Sequence, residues 1–122
     1  MVLFNNGCSK VDLVTTHAKD LAQKTATKDE NTKTYVRRFY QEYVSCLSGI
    51  DKDNFTDEVL LRIKMLIPKA EYTKAKRDFK NDSNLFIDWF IKNLEQIKNF
   101  DNAKDYMTYF EAYIGYFYSA QQ

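Results

Sequence analysis

Residues 32–47, Thr-Lys-Thr-Tyr-Val-Arg-Arg-Phe-Tyr-Gln-Glu-Tyr-Val-Ser-Cys-Leu, decide how this chain is to be read. Val36, Phe39, Tyr40, Tyr43, Val44 and Leu47 recur at intervals that place them on one wide helical stripe. Lys33, Arg37, Arg38, Gln41 and Glu42 lie mostly opposite. A half-buried strand alternates apolar and polar residues at every second position, and this stretch does not. Ser48-Gly49 follows, and Gly is the usual residue just past a helix end. The segment therefore predicts an amphipathic helix that must bury one face against something else.

The same period recurs on both sides. Upstream, residues 10–24 carry Val11, Val14, Ala18 and Leu21 on one face, with Ser9 placed to cap and Asp12 in a capping-box-like position. Residues 25–31 are polar and read as a loop, and 51–54 as a turn. Thr56 caps the next helix, whose first turn holds Asp57 and Glu58 at the positive end of the helix dipole. Val59, Leu60, Ile63 and Ile67 form its face. Pro68 ends that helix or opens the next, where its missing N–H costs nothing. Residues 69–79 are a weaker helix with Tyr72, Ala75 and Phe79 on one side. Asn81-Asp82-Ser83 interrupts the chain and caps a helix over 84–97, whose stripe is Phe86, Ile87, Phe90, Ile91, Leu94 and Ile97, with Trp89 at its edge. Asp101 or Asn102 caps a last helix over about 103–118.

With 122 residues the chain has the length of one domain. Only three Gly and one Pro are present, too few for the tight turns of an all-β domain. β-favouring residues cluster only at 113–118, and an unpaired strand cannot satisfy its backbone. The expected fold is an all-α bundle of about five or six short helices over residues 10–122, after a flexible segment at 1–9. Its core should include Val36, Phe39, Val44, Leu60, Ile63, Phe90, Leu94, Phe110 and Phe117. Residues 35–47 also resemble the opening helix of α+β domains of the cystatin or NTF2-like kind. That fold is the outside alternative, and it would require a curved sheet that residues 84–122 do not supply.

Catalytic chemistry finds no foothold. Two cysteines, Cys8 and Cys46, and one histidine, His17, cannot make a structural zinc site. The acids at 51–58 miss a calcium loop, because its sixth and twelfth positions are Thr56 and Arg62 instead of Gly and Glu. No phosphate-cradling glycine motif and no nucleophile elbow occur. His17 with Cys46 lacks any sign of an orienting third group. Asp78/Asp82 and Asp101/Asp105 read as caps and solvated acids. No catalytic, metal or cofactor-binding residue is assigned, no cofactor is expected, and the chain is not expected to be an enzyme.

Binding surfaces are easier to nominate. The net charge of +1 conceals an uneven distribution. Residues 62–80 hold seven basic side chains against Glu71 and Asp78, whereas 81–122 hold six acids and three lysines. Lys74, Lys76 and Arg77 are the expected contact for an acidic protein partner. Nucleic acid is ranked below such a partner, with Lys and Arg of 62–80 on phosphates and Tyr72 or Phe79 stacking on bases. Near the C-terminus, Tyr106, Tyr109, Phe110, Tyr113, Tyr116, Phe117 and Tyr118 crowd one helix. Tyr109 and Tyr116 fall outside its main stripe, and they are expected to touch a partner or a second copy of the chain.

At the N-terminus, Leu3-Phe4 followed by Gly7-Cys8-Ser9-Lys10 resembles the end of a bacterial lipoprotein signal and the start of the mature chain. The resemblance implies lipidation of Cys8, an envelope location and membrane contact through that anchor alone. Without it the chain reads as cytoplasmic. The expected function is a non-enzymatic protein-binding module: a small helical inhibitor, immunity-type or adaptor protein that occludes a partner's surface. The alternatives are an envelope lipoprotein anchored at Cys8 and a nucleic-acid binder using 62–80.

Overall fold

The computed structural model of the chain describes residues 9–26, 30–76 and 81–120. The described residues are about 85% helical, and no strand occurs among them. The sheet required by the α+β alternative is absent there, because 84–118 continue the helical period.

Helix α1 spans residues 10–25. It opens as Lys10–Asp12, passes through a π-helical stretch, Leu13–His17, and continues as Ala18–Thr25. Ser9 caps it by accepting the Asp12 N–H on its Oγ at 3.0 Å. The helix runs one residue further than the loop expected at 25–31 allows. Thr25 stays helical because its hydroxyl is buried: it donates to the Leu21 carbonyl at 2.9 Å and lies 2.8 Å from the Tyr113 hydroxyl.

Helix α2 is Glu30–Leu47. Gly49, at φ +73°, turns the chain out of it in the left-handed conformation that a side chain would resist. The following turn satisfies itself. Asp51 Oδ1 accepts the Asp53 and Asn54 N–H groups at 2.9 and 3.1 Å, and Asn54 Oδ1 accepts the Asp51 N–H at 2.6 Å. The side chains of Asp51 and Asn54 thus close the turn on its own backbone.

Helices α3 (Asp57–Lys64) and α4 (Leu66–Lys76) follow one another with only Met65 between them. Pro68 lies in the first turn of α4, where no backbone donor is needed. Helix α5 is Asn81–Gln96, so Asn81, Asp82 and Ser83 are its first turn and not an interruption before it. Helix α6 is Phe100–Ala120. Its cap is Asn99, two or three residues earlier than expected: Asn99 Oδ1 accepts the Asn102 N–H at 2.8 Å, and Asn102 Oδ1 accepts the Lys98 N–H at 3.1 Å.

α6 is the central element. It packs along α1 and also meets α2, and its rings interleave with those of α5. The core is a sheaf of aromatic rings. Phe86, Phe90, Tyr106, Phe110, Tyr113 and Phe117 are all at most 1% exposed. Trp89 stands edge-on to Phe110 at 5.3 Å between centroids, and Phe39 of α2 meets Phe90 at 5.3 Å. Tilted and edge-on pairs of this kind add to the burial of large apolar area. Buried hydroxyls are mostly tied off: Tyr43 donates to the Ala103 carbonyl, and Tyr113 bonds Thr25. Tyr106 Oη and Trp89 Nε1 have no partner among the described residues. Of the expected core, Val36, Phe39, Ile63, Phe90, Leu94, Phe110 and Phe117 are buried. Val44 and Leu60 are only half-buried, since each sits at the margin of its helix's inward face.

Candidate nucleic-acid interface

Opposite the α1–α6 packing, α2 lies beside α3 and α4. Two cavities open along that seam. One, of about 370 Å³, is lined by Tyr35, Arg38, Glu42, Lys69, Tyr72, Thr73 and Lys76. The other, of about 510 Å³, is lined by residues that include Arg38, Glu42, Cys46, Leu61, Arg62, Met65 and Lys69. They share Arg38, Glu42 and Lys69, so they form one groove. Four cations face one carboxylate along it.

The helical period explains the convergence. Arg38 sits one residue before the buried Phe39, so it leaves α2 at the rim of the core. Arg62, Lys69 and Lys76 recur every seven residues, about two turns, and therefore share a face of the α3–α4 rod. Arg38 is fixed in place. Its guanidinium lies 5.0 Å from the centroids of both the Tyr35 and Phe39 rings and donates to Thr73 Oγ1 at 3.4 Å. The Lys76 ammonium lies 5.6 Å from the Tyr72 ring centroid. Lys69 Nζ is 3.7 Å from Glu42 Oε1. Leu61, Met65 and Tyr72 are 61%, 52% and 64% exposed, so the groove offers apolar and aromatic surface among its charges.

Cys46 borders the groove as a buried free thiol. Burial pushes its pKa up, which keeps it protonated and a poor nucleophile at neutral pH. A further cavity of about 380 Å³ lies between the 52–57 turn and the start of α6. There Lys52 and Lys98 are matched by Asp57 and Asp101, so it carries no net charge toward an anion.

The expected contact residues separate. Lys76 lines the groove, whereas Lys74 turns away and pairs with Asp88 of α5 at 2.6 Å. The hydrogen bond to Asp88 is the main cause raising the Lys74 pKa. Arg77, Phe79 and Cys8 lie outside the described residues. Tyr109 does not face a partner in this chain: it is 1% exposed and stands edge-on to Trp89 at 5.2 Å. A helix packed on several neighbours buries more than a single stripe, and α5 takes up the sector that holds Tyr109. Tyr116 is half-buried, packed against the edge of the same core.

Arg38 and Tyr35 were missed as partners of the basic segment. They lie more than twenty residues upstream of it, and only the packing of α2 on α4 brings them together. The exposed cation beside a buried Phe at 38–39 was the available signal.

Among the described residues no group of three or more His, Cys, Asp or Glu is placed to hold a metal ion, and no helix is long and apolar enough to cross a membrane. The fold and the groove together define a small all-helical domain with one basic, aromatic-edged groove. A family model described as Csm2 Type III-A matches residues 8–122, and the chain belongs to that family. No curated protein and no solved structure matches the chain.

Membership corrects three expectations. Csm2 is a subunit of the CRISPR–Cas Csm effector complex, so the inhibitor, immunity-type and adaptor readings fall. The envelope lipoprotein reading built on Cys8 falls with them. The ranking of nucleic acid below an acidic protein partner is reversed, because this complex assembles on nucleic acid.

Proposed function

We propose that this chain is a non-catalytic subunit of a Csm-type assembly that holds the phosphate backbone of nucleic acid in the α2/α3–α4 groove. One observation carries the reading. Arg38, Arg62, Lys69 and Lys76, drawn from three helices, converge on a single groove in a chain whose net charge is only +1. Each exposed cation that neutralises a phosphate releases a condensed counterion, and that release supplies sequence-independent affinity. A subunit working along a guide or a target of any sequence needs this kind of contact and no base-specific one. The Cys46 thiol that borders the groove is kept protonated, since burial raises its pKa.

The test is charge reversal. Arg62→Glu with Lys69→Glu should lower binding of a fluorescent RNA oligomer by more than tenfold, with the helical far-UV spectrum unchanged. Both side chains are solvent-facing, so the fold should tolerate the change. Unaltered binding by a folded double variant removes the groove from consideration.

A further inference from the structure

We infer that the groove is built for a single strand, two successive bases of which stack on the Tyr72 ring and on the Arg38 guanidinium while its phosphates meet Lys69, Lys76 and Arg62. The inference rests on the nucleic-acid reading above and adds the class of strand. A duplex keeps its base faces inside its own stack and presents phosphates and groove edges. A single strand presents the flat faces of its bases, and proteins meet them with aromatic rings or guanidinium planes.

The groove holds one platform of each kind. Tyr72 is 64% exposed although it lines the cavity, far more than an aromatic ring spared from binding needs to be. Arg38 is also exposed, yet its orientation is set by Tyr35 and Phe39 on its own helix and by Thr73 on the other. A guanidinium held this way loses little freedom when a base settles on it. Thr73 is the residue after Tyr72, so the two platforms are neighbours. The Lys76 ammonium lies over one face of the Tyr72 ring, 5.6 Å from its centroid, which leaves the other face for a base and keeps the cation close to the strand. Flat surfaces set among cations suit a splayed strand, and a smooth cationic face would suit a duplex equally well.

The experiment compares three fluorescent probes by anisotropy: a ten-nucleotide oligo(A) RNA, an abasic strand of the same length and charge, and an RNA duplex. The oligo(A) should bind at least tenfold more tightly than the abasic strand. Tyr72→Leu should weaken oligo(A) binding by roughly 5- to 150-fold, the range for losing one stacked base, and leave the abasic strand unaffected. Arg38→Lys keeps the charge but removes the plane, so it should weaken oligo(A) and spare the abasic strand. Equal affinity for the two strands, or a duplex bound more tightly than either, overturns the inference. If Tyr72→Leu and Arg38→Lys change nothing while Arg62→Glu with Lys69→Glu abolishes binding, the groove holds phosphates and the stacking is wrong. If the charge reversal also changes nothing, the nucleic-acid reading fails as well. Both single variants alter exposed side chains, and a thermal melt verifies that each is folded.

Discussion

Neutralising one groove cation should change how nucleic-acid binding responds to salt by an amount the structure sets in advance. Arg38, Arg62, Lys69 and Lys76 line the groove. Arg38 keeps its charge beside the backbone even with a base on its face, and Lys69 is already partly neutralised by Glu42, 3.7 Å away, so a bound strand meets three full cations and a fraction of a fourth. For single strands each neutralised phosphate contributes about −0.7 to the slope of log K against log salt, giving an expected slope between about −2.1 and −2.8. Between 50 and 200 mM salt the affinity should then fall roughly 20- to 50-fold. Arg62→Ala removes one cation, so the slope should flatten by about 0.7 and the fall shrink to roughly 7- to 20-fold. Glu42→Gln works in the opposite sense: it frees Lys69, steepens the slope and raises low-salt affinity. Anisotropy titrations of a labelled RNA oligomer at four salt concentrations measure all three proteins. A wild-type slope shallower than about −1, or a slope that Arg62→Ala leaves in place, would refute the assignment of phosphates to this groove.

Lys74→Ala breaks a partly exposed ion pair with Asp88, so it should cost at most about 1 kcal/mol by urea unfolding and leave RNA binding unchanged; weakened binding would return Lys74 to the contact surface. Tyr113→Phe removes the hydroxyl bonded to Thr25 and should cost about 1 kcal/mol, whereas Tyr106→Phe removes a buried hydroxyl with no described partner and should be neutral or stabilising. Equal destabilisation by both changes would mean that Tyr106 Oη is satisfied. Burial raises the pKa of Tyr43, Tyr106 and Tyr113 in the folded chain, while the unfolded value is near the ordinary tyrosine 10. The fold therefore favours the neutral phenols, and stability intact below about pH 10 should be lost progressively above it. A urea midpoint that stays constant from pH 9 to beyond pH 11 would contradict this.

Most of the fold is legible in the sequence because local and global signals agree. Val36, Phe39, Tyr43 and Leu47 share a stripe in the sequence and are buried together in the structure. Legibility fails where one helix meets several others. The α6 helical wheel separates Tyr106, Phe110, Tyr113 and Phe117 from Tyr109, but α5 comes in on that side and Trp89 closes over the Tyr109 ring. The same limit governs the groove. A charge count along the chain finds Lys69 and Lys76 together with Lys74, which is tied to Asp88. It passes over Arg38, because nothing in a linear window shows that α2 will lie against α4. The family match spans residues 8–122, far more than the short motifs that a reading of residue types looks for.

Core and groove share a construction. Arg38 leans on Phe39, which is fully buried and packs on Phe90, so the groove's best-fixed cation is held by the aromatic sheaf itself. Thr73, 7% exposed, bonds Arg38 and also donates to the Lys69 carbonyl, which ties α4 to the same cation. A flexible lysine in the place of Arg38 would lose rotamer freedom on meeting a ligand; a guanidinium clamped between two helices has already lost it during folding. The stiffness of the core is thereby carried to the groove. On the proposed reading, a subunit that bears on a strand of any sequence gains from that rigidity, since no base-specific hydrogen bond is available to fix the strand's position. The cations and flat surfaces must already be in place, and in this chain the burial of Phe39 and Thr73 puts them there.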